Sequence, residues 1–503
     1  MQKSQWFPKD IRLIAVAISL AISLLAGIFR STPNDDAFTY IRTAEIFLNE
    51  GLTAAFAHYE WATYSILIGT VHRLTGLEFF SAAYLINALF FGLLVYSFIS
   101  IVKELDDSFR TQVLAAIAIL LYPQLNEFRH EIIRDIGFWS FSLFAISQYM
   151  VFTESFRFRN MAFFCAALLV AFTFRSEAVV YLLAIPVSLL FDSRLDKNSR
   201  TKYGLIITAS SIGSLILLAL VLNLAGLNLV QLSADVIATY APFLSDTIFP
   251  TNEQSLELSR AIFGEYAANY SNTYLTLFML TGLTAILLAK LFNGIGGPFV
   301  IILITGLAKK MLNIPRHNFL PLATVLIVNL TILLGFIIVT RFLASRYAML
   351  LSLVLALLVP VVLNRVLIWI ESLSNKRAMQ GALGALLIYC FIDSFVSFGY
   401  NKNYIYEAAQ WVNDNSTEDT QVVTNDNSIA YFSGRVEDYD IVQKTLSSQQ
   451  ILQSNAGDLI VIESNIDMQQ LLSTEAIKSR IELVKYFPNE GDQRLLVYRR
   501  LTD

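Results

Sequence analysis

Apolar runs of roughly 15 to 25 residues recur from Ile11 to Phe398, and this repetition constrains the chain more than any motif it carries, since such runs match the thickness of a bilayer core. A segment in hydrocarbon must satisfy its own backbone hydrogen bonds, so the runs read as helices. With 55% hydrophobic and 15% charged residues, the 503-residue chain lies outside the soluble range. A formal net charge of -4, with no basic stripe interleaved with aromatics, excludes nucleic acid as a partner. Cys165 and Cys390 lie inside apolar runs without CxxC or Cys/His spacing, which fits small buried residues rather than a disulfide or zinc site.

Lys3, Lys9 and Arg12 precede the first run, which is long for a cleaved leader and reads as a signal anchor with a cytoplasmic N-terminus. The positive charge then predicts spans near 11–29, 79–102, 111–124, 136–153, 160–174, 178–192, 203–225, 273–291, 317–340, 347–370 and 379–398. That makes about 11 transmembrane helices, with the C-terminus outside. The inner loops carry Lys103 and Arg110, Arg157 and Arg159, Arg194 to Lys202, Lys309 to Arg316, and Lys376 and Arg377. The segments 111–124, 160–174 and 178–192 are short for a core of about 30 Å. The apolar stretch 298–307 would invert every later loop if it spanned, so it is expected to be interfacial or re-entrant. Gly294, Gly296, Gly297 and Pro298 supply its bend. Tyr64 to Leu74, with His72 and Arg73, reads as a helix lying on the outer surface.

Two long outer loops are expected, 30–78 and 226–272, the second carrying Asp235, Glu253, Glu257, Arg260 and Glu265. Residues 1–399 thus form a transmembrane domain. Residues 400–503 read as a small extracytoplasmic α/β domain, with strands at Val422-Val423, Leu459 to Ile462, Leu483 to Phe487 and Leu495 to Tyr498 and a helix at Ile405 to Asn413.

Charges beside the outer membrane face are Asp35, Asp36, Arg42, His72, Arg129, His130, Glu131, Arg134, Asp135, Arg175, Glu177, Arg341 and Arg346. Each taken singly fits an interfacial anchor or a loop cap. Pro33-Asn34-Asp35-Asp36 opens a helix through Leu48, and one of the two acids is expected to cap it. Acids and arginines nevertheless recur at the outer mouths of several spans, as binding an anionic lipid headgroup beside a carboxylate would require.

The acid pair and its helix, Asp35-Asp36-Ala37-Phe38-Thr39-Tyr40 through Ala44, followed by the surface helix Tyr64 to Leu74 and the span Phe79 to Lys103, resemble the GT-C superfamily of membrane glycosyltransferases. That group includes protein O-mannosyltransferases and lipid A aminoarabinose transferases, which use polyprenyl-phosphate sugars. Arg129 to Asp135, Phe174-Arg175-Ser176-Glu177, Arg346-Tyr347, and the tail segments Glu407 to Asn413 and Ser428 to Gly434 extend the resemblance over nearly the whole chain. Two departures stand out. Asp36 replaces a common Glu, and His58-Tyr59-Glu60-Trp61-Ala62-Thr63 replaces a proline-rich approach to the surface helix.

The resemblance implies an integral inner or plasma membrane enzyme that moves a sugar from a polyprenyl-phosphate donor to a lipid, glycan or protein acceptor on the outer face. Displacement of a phosphate leaving group needs one carboxylate as base and cations at the phosphate. Asp35 matches the first acid of the family pair and is the candidate base, with Asp36 beside it. Arg346 is the first choice for the phosphate, followed by Arg175 and then Arg341, because guanidinium offers bidentate donors and stays charged near lipid. Direct displacement inverts the anomeric configuration. Glu131, Asp135, Arg134 and His72 are candidates for support or for a divalent cation; a four-residue helical spacing of Glu131 and Asp135 fits an arginine or histidine partner equally well. The tail, holding no acid or arginine of this set, is expected to support acceptor access. The alternatives are a transporter or flippase of an anionic lipid-linked substrate, and an oligosaccharide ligase or polymerase.

Overall fold

The computed structural model describes residues 10–28, 32–228, 252–395, 402–417 and 419–502, together with Val230, Gln231, Ser233, Ala234, Ile237, Ala238 and Ala241. Lys3, Lys9 and Asp235, singled out from the sequence, lie outside the described residues. Within the described residues, each of the apolar runs predicted to span falls on a helix. Among the described residues eight helices are long and apolar enough to cross a membrane: Ile11–Ile28, Phe79–Leu105, Asp135–Ser155, Lys197–Leu224, Ala268–Ile295, Arg316–Thr340, Ser345–Glu371 and Lys376–Phe395. Four apolar helices are shorter, at Phe109–Leu120, Phe158–Phe174, Ala178–Phe191 and Gly297–Ala308. The first three of these are the runs that read as short in the sequence. The protein is therefore a polytopic helical membrane protein with a small C-terminal sheet.

The Gly297–Ala308 helix has 12 residues, a rise of roughly 18 Å at 1.5 Å per residue, well short of a bilayer core. Its entry bend depends on Gly296, whose φ of 84° is a left-handed conformation that glycine adopts without strain. Tyr122 Oη donates to the carbonyl of Gly294 at 2.6 Å and holds the bend from the other side. Further along, a Cβ on Gly306 would meet Val362 Cγ1 at 2.5 Å, so the glycine lets this helix press against Leu358–Glu371. Arg365 then secures the following loop, donating to the carbonyls of Met311 at 2.9 Å and Asn313 at 3.1 Å.

The chain forms two compact units. The first comprises Met1–Leu24, Leu85–Phe128 and Arg134–Val396, and the second Leu25–Tyr84, Arg129–Ile133 and Ser397–Asp503. In the first, Asp135–Ser155 packs along Phe158–Phe174, and Ala268–Ile295 and Arg316–Thr340 both pack against Ser345–Ala356. In the second, the helix Asp35–Glu50 packs against Thr63–Thr75 and against the tail helix Asn427–Ser433.

The tail contains four strands, β1 (Val422–Thr424), β2 (Leu459–Glu463), β3 (Ile481–Asn489) and β4 (Asp492–Arg500), in the order β1-β2-β4-β3. β1 runs parallel to β2, whereas β4 is antiparallel to both of its neighbours. Successive strand residues point to opposite faces, so β2 serves two cores. Leu459 and Val461 pack with Ile405, Ala408 and Val412 of the helix Asn403–Asp414. Ile460 and Ile462 pack on the other face with Ile451, Met468 and Ile477. Burial on both faces explains why this strand reads as a continuous apolar run.

Candidate active site

The acid pair occupies the first turn of Asp35–Glu50, and the capping position before it is Asn34. This corrects the expectation that one of the acids caps the helix. The Asn34 side chain makes no cap; its Nδ2 donates to the carbonyl of Ile132 at 3.1 Å while its Oδ1 accepts from the Ile132 amide at 2.8 Å. That two-point clamp uses up the amide that would have capped the helix, and it fixes where the acids begin. Both carboxylates still lie at the positive end of the helix dipole. Behind them Phe38 is fully buried, with edge-on or tilted contacts to Phe80, Tyr431, Phe432 and Tyr439.

Asp35 is 59% exposed and pairs through Oδ2 with Lys444 Nζ at 2.8 Å. Lys444 belongs to the tail, and nothing in the sequence marked it, because contacts between the two ends of a chain leave no local periodicity. The same tail segment touches the helices Asp35–Glu50 and Leu52–His58 twice more. Tyr439 Oη donates to Glu45 Oε2 at 2.8 Å, and Asp440 Oδ2 lies 3.0 Å from His58 Nε2.

In the first unit a second group forms around Asp135, whose side chain is 3% exposed. Gly137 makes it possible. A Cβ there would lie 3.0 Å from the Phe174 ring, so the glycine lets Phe174 press onto the Asp135–Ser155 helix and brings the next residue, Arg175, to Asp135. Arg175 Nη1 donates to Asp135 Oδ1 at 2.5 Å and Nη2 to Glu177 Oε1 at 2.5 Å. Its guanidinium also lies over the Tyr347 ring, 4.4 Å from the centroid. Arg346 approaches the other Asp135 oxygen, with Nε at 3.9 Å, and its side chain is 25% exposed. Arg175 is thus committed to two carboxylates, while the Arg346 side chain stays a quarter exposed.

The remaining candidates are placed as follows. Glu131 is in a bend and Ile132 and Ile133 are irregular, so Glu131 and Asp135 do not share a helix and the expected helical spacing is corrected. The irregular stretch contains Ile132, the residue clamped by Asn34. Arg134 sits just before the Asp135 helix, its carbonyl accepting from Gly137 N at 3.0 Å. His72 stacks on Phe79 at 4.1 Å, and its Nδ1 lies 2.7 Å from the carbonyl of Leu77, closing the turn after Thr63–Thr75. Arg341 ends Arg316–Thr340 in the left-handed region, φ 55°, and lines a cavity of about 550 Å³ with Glu257, Leu280, Leu283 and Ile338. Among the described residues no group of three or more His, Cys, Asp and Glu side chains is arranged to hold a metal ion.

No protein-family model and no curated protein sequence matches the chain. Its fold is similar to that of ArnT from Cupriavidus metallidurans bound to undecaprenyl phosphate, with a TM-score of 0.50 and 12% identity over 97% of each chain. The apo state of the same protein aligns over the same shares at a TM-score of 0.49. Arabinofuranosyltransferase AftD from Mycobacteria aligns at 0.43 with 15% identity, across 99% of this chain and 40% of that longer one. At such identities the likeness speaks for the fold. The chain shares the fold of ArnT, as the resemblance of the acid pair and its surface helix implied.

Proposed function

We propose that the protein is an inverting glycosyltransferase that moves a sugar from a polyprenyl-phosphate donor to an acceptor on the outer face of the membrane. Asp35 carries the reading. It is an exposed carboxylate set at the first turn of a clamped helix, in a chain that shares its fold with ArnT, a protein solved with undecaprenyl phosphate. The acceptor hydroxyl oxygen attacks the anomeric carbon, the bond from that carbon to the phosphate oxygen breaks with its electron pair, and Asp35 takes the hydroxyl proton. Attack from the face opposite the leaving group inverts the configuration. Polyprenyl phosphate, released as a monoester, is stabilised by Arg346 through charge-assisted hydrogen bonds. Arg175, itself bound to Glu177, pairs with Asp135, and Asp135 in turn orients Arg346.

The outer face is supported by the positive residues of the predicted inner loops, which favour a cytoplasmic N-terminus and a tail outside. The test is turnover of radiolabelled undecaprenyl-phosphate sugars by purified protein with membrane extract as acceptor source. Asp35→Asn should lower turnover by about 10² to 10⁴ while undecaprenyl phosphate still binds, with Asp36→Asn milder. Wild-type turnover in Asp35→Asn ends the assignment, and direct use of a soluble nucleotide sugar overturns the donor.

A further inference from the structure

We infer that Lys444 of the tail is a positioning residue for Asp35, so that the tail takes part in the transfer step through the base; the inference rests on the role proposed for Asp35. The pair is short, 2.8 Å, yet Lys444 and Asp35 are 50% and 59% exposed. Exposed pairs of this kind are worth only about 0 to 1 kcal/mol. Stability is therefore a poor explanation of why the ammonium is there.

The surrounding construction points to placement instead. The Lys444 carbonyl accepts from two asparagine side chains, Asn425 Nδ2 at 3.0 Å and Asn465 Nδ2 at 3.2 Å. Asn425 is 1% exposed and is itself bound to β2, accepting from Glu463 N at 2.7 Å and donating to Glu463 O at 3.1 Å. At the other end of the segment, Asn427 Nδ2 donates to the Tyr439 carbonyl at 2.8 Å. Buried asparagines thus hold both ends of Tyr439–Lys444, Asn425 beside β2 and Asn427 at the start of the helix Asn427–Ser433. The side chains of the segment meanwhile reach the acid helix and the short helix after it, through Tyr439 to Glu45 and Asp440 to His58. A lysine stem is flexible, but here its backbone and both partner elements are held, so the ammonium is delivered to one carboxylate oxygen of Asp35. The other oxygen is left to accept the acceptor proton.

A base displaced by about 1 Å can cost up to 10²-fold in rate. The experiment compares Lys444→Met, Lys444→Arg, Asp35→Asn and Lys444→Met/Asp35→Asn in the full chain, with the undecaprenyl-phosphate sugar that wild type consumes. Expected are turnover lowered by about 10- to 100-fold in Lys444→Met, partial recovery in Lys444→Arg, and unchanged donor KM and melting. Adding Lys444→Met to Asp35→Asn should cost nothing further, which a merely structural lysine would not show. Wild-type turnover in Lys444→Met beside an inactive Asp35→Asn overturns the inference and leaves the base assignment standing. Wild-type turnover in Asp35→Asn removes the base assignment and this inference with it. A raised donor KM with unchanged kcat in Lys444→Met would make Lys444 a phosphate ligand and also overturn the positioning role.

Discussion

Arg175 and Arg346 meet the same carboxylate, and substituting each by methionine should produce opposite symptoms. Asp135 is 3% exposed, with Arg175 at 2.5 Å and Arg346 at 3.9 Å. Arg175→Met leaves a buried carboxylate with only its long contact to Arg346 among these two cations. Breaking a buried pair from one side costs about 3 to 5 kcal/mol, because the remaining charge is uncompensated. Arg346→Met leaves the short Arg175 pair intact, and the contact it removes from Asp135 is long and partly exposed, so losing that contact costs about 1 kcal/mol or less. For ligand binding the order reverses. If Arg346 holds the donor phosphate, its loss removes a charge-assisted contact worth about 2 kcal/mol at the low end for such groups, which is about 30-fold in affinity. Unfolding of purified protein in dodecyl sulfate, followed by tryptophan fluorescence, reads the first quantity; binding of undecaprenyl phosphate to the native protein reads the second. Arg346→Lys should recover part of the affinity, since ammonium keeps the charge and loses the fork. The reasoning is refuted if Arg346→Met unfolds as readily as Arg175→Met while binding undecaprenyl phosphate like wild type.

Gly306→Ala drives a methyl group into Val362 and should destabilise the protein by about 1 to 3 kcal/mol, read as a lower melting temperature; unchanged melting would mean that the two helices separate freely. Burial pushes the Asp426 carboxyl above its ordinary value, with the Ile429 amide and Lys444 opposing. A raised value in the folded state means that its contribution to stability is full below the ordinary carboxylate range, about pH 4, and is lost as pH rises. Asp426→Asn keeps the cap on Ile429 N, so it should melt above wild type at neutral pH, with the gap closing toward pH of about 4; a gap independent of pH would contradict this. A cysteine at Asn313, in the loop held by Arg365, should react with membrane-impermeant maleimide only from the cytoplasmic side. Labelling from outside intact cells would exclude the re-entrant reading of Gly297–Ala308.

The fold was legible wherever it depends on runs of one chemistry. Each predicted span lies on a helix, the three short ones are short, and the four tail strands appear where alternating or continuous apolar residues placed them. Hydrocarbon and a two-sided sheet both impose local, periodic demands, and these are written residue by residue. The acid pair, Arg175 and Arg346 stand out in the sequence as candidates, because charge beside an apolar run is conspicuous. What each of them touches does not. That Asn34 serves Ile132 rather than its own helix, that Arg175 is spent on Asp135 and Glu177, and that Lys444 meets Asp35 depends on contacts between distant segments. A hydrogen bond or ion pair between such segments places no demand on the residues adjacent in sequence, so only the folded backbone decides which of several similar charges become partners.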